Sequence, residues 1–358
     1  MVKEGGRHDM RLTANHLTIL RVVLLPLPYF LVYGGRMERV AAIAAFAILG
    51  VTDYLDGLLA RRDGGTKLGA LLDPLADKIF VAVTLIPIVD LHILPLWVVW
   101  PIFLREFLVT DLRRFLLAER LELPVTELAK IKTTLQMTGA GLILLTDTFP
   151  DKSVSAAFLS GALLASLFLA IGLYWRDGYV SQRIKTALGF IVLGLAILAL
   201  FHAPAANLVY GIVMLGITIV SGWHYIVVGL PACIKKGLLV FARLIFTLGF
   251  PLLSLALMTS APPGVAGMVV FIIVLEFAAQ GIDMWALKEG AMDITWVKPW
   301  IYLPVAVAVL AAAVNVFGAA YGIRFYLLMA VLMSGAYMFS DVWVHRRLFV
   351  EGETDVFK

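Results

Sequence analysis

Along most of its length the chain alternates long apolar stretches with short polar turns. Stretches such as Val81–Val89 and Ile191–Phe201 are apolar almost without interruption. Strands of a membrane barrel are short and alternate apolar with polar positions, so this pattern predicts helices. Runs of ~20 apolar residues are long enough to cross the hydrocarbon core. A backbone in lipid must satisfy its own hydrogen bonds, which again selects the helix. Hydropathy predicts an all-α, polytopic membrane protein of about twelve spans. They start near Leu17, Val40, Gly69, Leu94, Lys132, Val154, Thr186, Ala206, Gly237, Val265, Trp300 and Ile323.

The polar positions add an orientation. With a cytoplasmic N-terminus, one side receives Arg61, Arg62, Lys67, Arg113, Arg114, Arg120, Lys130, Arg176, Arg183, Lys235, Lys236, Lys288, Arg346 and Arg347. The other side receives Arg36, Arg39, Lys152 and Arg324. Basic residues concentrate on cytoplasmic loops, so both ends are expected in the cytoplasm of a bacterial-type membrane. Composition agrees. Of 358 residues, 61% are hydrophobic and 15% charged, against roughly 25% charged in soluble domains. A water-soluble protein is excluded. Cys233 is the single cysteine, so no internal disulfide forms and nothing points to thiol or zinc chemistry. The polar stretch before Asn15 does not read as a cleavable signal peptide. The net charge of +4 is modest, and no nucleic-acid partner is expected.

Two segments look alike. Lys130-Ile-Lys-Thr133 and Arg183-Ile-Lys-Thr186 each lead into a span, a turn and a second span, ending in Gly172-Leu-Tyr-Trp175 and Gly222-Trp-His-Tyr225. They read either as a duplicated hairpin or as two similar amphipathic helix starts.

The most informative positions are acidic. Asp53 and Asp56 are three residues apart, and Asp73 and Asp77 are four apart. Each pair therefore lies on one face of its helix. A short Gly-containing loop joins the two helices, so the four carboxylates share one depth just below the cytoplasmic surface. A charge at that depth costs roughly 2.5–3.5 kcal/mol on insertion scales and is usually functional. Four together need compensation. Hard oxygen donors suit Mg²⁺ or Mn²⁺, and two such ions would clamp a pyrophosphate. Asp77 could also act as general base toward an alcohol. Gly57, Ala60 and Gly69 leave room for close approach, and Arg61 stands at a helix end where it meets a phosphate.

The pattern Asp53-x-x-Asp56-Gly57-x-x-Ala60-Arg61…Gly69-x-x-x-Asp73-x-x-x-Asp77 resembles the signature of the CDP-alcohol phosphatidyltransferases. The loop between Arg61 and Gly69 is one residue shorter than is common there. The resemblance implies that Asp53, Asp56, Asp73 and Asp77 hold two metal ions. It implies that Asp77 deprotonates the acceptor hydroxyl, which attacks the lipid-side phosphorus of a CDP-lipid and expels CMP. Asp53, Gly57, Ala60, Arg61 and Gly69 would line the CDP site. A homodimer is a further implication.

Other segments resemble one branch, the phosphatidylglycerophosphate synthases: Asn15-His-Leu-Thr18-Ile-Leu-Arg21, Arg105-Glu-Phe-Leu-Val-Thr-Asp-Leu-Arg113 and Lys130-Ile-Lys132-Thr133-Thr-Leu-Gln136. Arg105, Arg113, Lys130 and Lys132 then form a cationic cluster suited to an acceptor bearing a phosphate, such as glycerol 3-phosphate. The same residues could be ordinary cytoplasmic anchors. A cardiolipin synthase of the same family is the close alternative. A transporter is the alternative from another class. Residues 1–230 are expected to form the catalytic domain, with a possible inserted hairpin at 150–205. Residues 231–358 add further spans, in which Glu276 and Asp283 share a face.

Overall fold

The structure is a computed structural model that describes residues 14–63, 67–121, 127–290 and 297–346. For residues 14, 53–63, 67, 68, 70, 127, 129, 130, 177, 183, 297–305, 308 and 312 it describes the backbone only. Every regular element among them is a helix. In chain order these are α1 (Ala14–Leu24), α2 (Pro26–Val32), α3 (Arg36–Asp63), α4 (Lys67–Asp90), α5 (Leu96–Ala118) and α6 (Glu127–Thr148). There follow α7 (Lys152–Asp177), α8 (Gln182–Leu200), α9 (Ala203–Lys236), α10 (Leu238–Met258), α11 (Ala266–Lys288) and α12 (Val297–Val344). Each expected start falls within five residues of a helix start or, for Ile323, of the break in α12.

Local chemistry sets the breaks. Pro26 opens α2; it has no N–H for a bond back to Val22, so the first apolar run splits into α1 and α2. Asp151 caps α7 by accepting from the Ser153 amide at 2.8 Å, and Gly178 ends it at φ 73°. That left-handed geometry favours glycine. In α12 the helix is interrupted at Gly318, φ 76° and ψ 167°. The chain doubles back there so tightly that a Cβ on Gly322 would lie 2.6 Å from the Val314 backbone. α12 is thus two helices in one element, with the break close to the expected start at Ile323.

Among the described residues, six segments are long and apolar enough to cross a membrane: Asn15–Val32, Lys152–Arg176, Ala203–Lys236, Leu238–Met258, Ala266–Lys288 and Ala313–Val344. The chain is a polytopic helical membrane protein. Its outer surface carries exposed apolar side chains such as Phe168 and Trp175 on α7, which in lipid need no partner. Helices α3 to α6 are of spanning length but carry more charge. Those charges are the candidate chemistry.

At the centre, α5 and α6 pack on α9, and α4 packs on α1, α6 and α11. Phe80, Phe103, Phe107, Tyr210 and Phe277 are fully buried in this core. α10, α11 and α12 pack on one another and reach α4 and α5, while α7 packs on α8 at the periphery.

Candidate active site

Asp73 and Asp77 stand one turn apart on α4, and α1 supports both. The Thr18 hydroxyl donates to Asp73 Oδ1 at 3.1 Å. Arg21, fully buried, brings Nη1 to 3.8 Å from Asp77 Oδ1. Asp73 remains exposed and Asp77 half-buried, so both can present oxygens to a ligand. Gly69 is buried at the start of the same helix. Asp53, Asp56, Gly57, Ala60 and Arg61 belong to the last turns of α3 by backbone; their side chains, and that of Lys130, lie outside the described residues. Among the described residues no group of three or more His, Cys, Asp or Glu is placed to hold a metal.

Beside Asp77 lies a cavity of about 320 Å³, walled by α4, α5, α6, α9 and α11. Among the described residues five cations border it, Lys78, Arg105, Arg113, Lys132 and Lys288, and two acids, Asp77 and Glu106. Glu106 organises the floor. Its Oε1 accepts from Lys132 Nζ at 2.6 Å, from Arg105 Nη1 at 3.3 Å and from Gln136 Nε2 at 3.4 Å. Arg105 is also tied to α9, donating from Nη2 to the Ser221 hydroxyl at 2.9 Å. Gly222 makes that crossing possible, because a Cβ there would lie 2.6 Å from Arg105 Nε. Lys78 Nζ donates to Thr110 Oγ1 at 2.7 Å and sits 4.8 Å from the Phe277 ring centroid. Phe277 stacks on Phe107 at 4.0 Å. At the exposed rim the Arg113 guanidinium lies 5.5 Å from the Tyr225 ring centroid.

Residues 11–174 match the CDP-alcohol phosphatidyltransferase family. The chain is 37% identical over 172 residues to a protein of Mycobacterium tuberculosis (strain H37Rv) called a probable phosphatidylglycerophosphate synthase; the match covers 47% of this chain and 82% of that one. It is 33% identical over 176 residues to the CDP-diacylglycerol–glycerol-3-phosphate 3-phosphatidyltransferase of Bacillus subtilis, covering 45% of this chain and 91% of the relative. The chain belongs to the CDP-alcohol phosphatidyltransferase family. It is a membrane transferase of phospholipid synthesis. No solved structure matches it.

A CDP-alcohol phosphatidyltransferase needs a place for a pyrophosphate beside an alcohol. Of the expected cationic cluster, the structure brings Arg105, Arg113 and Lys132 to one cavity next to Asp77. The donor set on α4 is carboxylate oxygen with no sulfur or imidazole, which fits a hard divalent cation. Residues to which the sequence assigned no place in the site also belong here. Thr18 and Arg21 steady the carboxylates, and Glu106 holds two cations at once. Phe277, Trp285 and Lys288 reach the cavity from α11. Glu106 could have been noticed as an acid inside an apolar helix, since such residues seldom lack a partner. Nothing in the sequence announces that α11 is a wall of the same cavity.

Proposed function

We propose that the chain transfers the phosphatidyl group of CDP-diacylglycerol to glycerol 3-phosphate, forming phosphatidylglycerol phosphate and releasing CMP at the cytoplasmic face. The observation that carries the acceptor is the charge of the cavity beside Asp77, five cations against two acids among its described lining. A phosphate monoester of charge near −2 is stabilised by several cations in a partly dehydrated pocket. A neutral polyol would leave those cations facing one another.

Asp77 takes the proton from the acceptor hydroxyl. The hydroxyl oxygen then bonds to the lipid-side phosphorus, and the bond from that phosphorus to the oxygen bridging to CMP breaks. Arg105, Arg113, Lys130 and Lys132 hold the acceptor phosphate, with Glu106 fixing the tips of Arg105 and Lys132. Asp53, Gly57, Ala60, Arg61 and Gly69 line the CDP site. Asp53, Asp56, Asp73 and Asp77 would hold two Mg²⁺ or Mn²⁺ ions. Such ions, when bound, neutralise the pyrophosphate and stabilise charge on the leaving group.

Residues 1–230 form the catalytic domain in this reading, with 150–205 as an inserted hairpin. The peripheral packing of α7 on α8 and the central packing of α9 on α5 and α6 support that division. CMP release by the purified enzyme, measured with a panel of acceptors, tests the assignment. Turnover with glycerol 3-phosphate and not with free glycerol is expected. Turnover with phosphatidylglycerol alone would move the chain to cardiolipin synthesis.

A further inference from the structure

α11 lies outside the segment that matches the family, residues 11–174. The Bacillus subtilis relative has 91% of its length inside its match with this chain. Too little of it remains for counterparts of α10, α11 and α12. The cavity beside Asp77 is nevertheless built partly from α11, through Phe277, Gly281, Trp285 and Lys288. Spacings of four, four and three residues put them on one helix face. Gly281 lets that face approach α4, since a Cβ there would lie 3.3 Å from Leu71 Cδ1.

The cations around the cavity form two tiers. Lys78, Arg105 and Lys132 are the inner tier, and each already has a polar partner. Glu106 accepts from Lys132 and Arg105, and Thr110 accepts from Lys78. Arg113 and Lys288 are the outer tier. Both are exposed. Among the described residues neither forms an ion pair with a carboxylate. The five cations exceed the two acids by three (5 − 2), so the outer pair accounts for most of the surplus. Exposed like charges at one entrance concentrate an anion there. A lysine at the cytoplasmic end of a span can also serve only to anchor it among headgroups. Lys236, at the end of α9, does not border the cavity and pairs with Glu119 at 2.7 Å. Lys288 borders the cavity and has no such partner.

We propose that Lys288 is an acceptor-binding residue, a reading that rests on this cavity taking glycerol 3-phosphate. Arg105 and Lys132 hold the acceptor phosphate from the floor, and Arg113 and Lys288 hold it from the rim. The helices beyond the family match thereby complete the acceptor site.

Steady-state kinetics of the purified full-length enzyme test this. In Lys288→Ala, KM for glycerol 3-phosphate should rise roughly fivefold, because an exposed charge contributes less than a buried one. KM for CDP-diacylglycerol and kcat should stay at the parent values. Lys288→Arg should restore the parent KM, and Lys288→Glu should raise it further than Lys288→Ala. The acceptor KM of the parent should climb with salt more steeply than that of Lys288→Ala. An unchanged acceptor KM in Lys288→Ala would leave Lys288 a headgroup anchor and overturn the proposal. An equal rise in both KM values would move it to the donor and overturn the proposal too.

A second measurement uses the unaltered protein. Saturating glycerol 3-phosphate should slow acetylation of Lys288 by N-acetoxysuccinimide, read by peptide mass, and should leave Lys235 at its original rate. Equal acetylation of Lys288 with and without the acceptor would refute the site. A parent enzyme that releases no CMP with glycerol 3-phosphate would end the acceptor reading and the role of Lys288 together. A parent that does so, with Lys288→Ala indistinguishable from it, would end the role of Lys288 alone.

Discussion

α5 carries two buried ionic clusters on two of its faces, and they differ in one respect. On the first face Arg105 and Glu106 join Lys132, Lys78 and Arg113 around an open cavity in which cations outnumber acids. On the second face Arg114 is held between Asp111, in the preceding turn, and Asp283 on α11. Asp111, Arg114 and Asp283 are all buried, and they do not border that cavity. A little along α11, Glu276 accepts from the Ser334 hydroxyl on α12 at 3.0 Å. Charge inside a membrane protein therefore does not by itself mark a site. An imbalance of charge beside empty space does, because a ligand must supply the missing sign. The second cluster is a clasp that ties the C-terminal helices to α5.

Experiments can sharpen that contrast. The largest effect is expected at the first face's neighbour, Asp77. A general base contributes on the order of 10²–10⁴ in rate, so under the proposed mechanism Asp77→Asn should abolish measurable CMP release while the detergent melting temperature stays near that of the parent. EDTA should do the same to the parent. A fully active Asp77→Asn enzyme would remove Asp77 from the mechanism.

The clasp should behave in the opposite way. Asp283→Ala removes one of the two carboxylates that Arg114 bonds and leaves Asp111. Removing one partner of a buried ion pair costs about 3–5 kcal/mol, so we expect a loss near the lower figure in thermal stability. KM for both substrates should stay near the parent value in whatever protein remains folded. A stable Asp283→Ala protein with impaired acceptor binding would reverse the two roles.

Lys132→Ala belongs to the open face. In the proposed acceptor site Lys132 holds the phosphate, and loss of such a charge costs on the order of 2 kcal/mol or more, so KM for glycerol 3-phosphate should rise roughly thirtyfold. KM for the CDP-lipid should barely move. Equal increases for both would assign Lys132 to the donor instead. The smallest effect is expected at Gly222. An added methyl in Gly222→Ala pushes on Arg105, and overpacking of this kind costs about 1–3 kcal/mol. Acceptor KM should rise several-fold, and Gly222→Ser should do no better.

The sequence made much of this visible. The helix starts follow from runs of apolar residues, which need no tertiary context. Asp73 and Asp77 are legible because four-residue spacing on an apolar helix forces them onto one face. Arg113 and Arg114 are different. They are adjacent, both basic and both at a helix end, yet one lines the pocket rim and the other closes the clasp. Only the rotation of α5 about its axis separates them, and hydropathy does not fix that angle when both faces are buried in protein. The wall formed by α11 was hidden for another reason. Its contacts with α4 join residues some 200 positions apart, such as Leu71 and Gly281 (281 − 71 = 210), and no local pattern records such a meeting. Glu276 and Asp283, which shared a predicted face, are accounted for by partners on two different helices, α12 and α5.

The pairs within α5 have a consequence for how the chain enters the bilayer. α5 emerges from the ribosome long before α11, and also before α6 and α9. Arg105, Glu106, Asp111 and Arg114 would then each face the cost of insertion, roughly 2.5–3.5 kcal/mol for a single charged residue at mid-helix. Arg105 already has Glu106 beside it, and Arg114 already has Asp111 one turn back. The helix carries its own counterions during biogenesis, and later spans need only refine pairs that already exist.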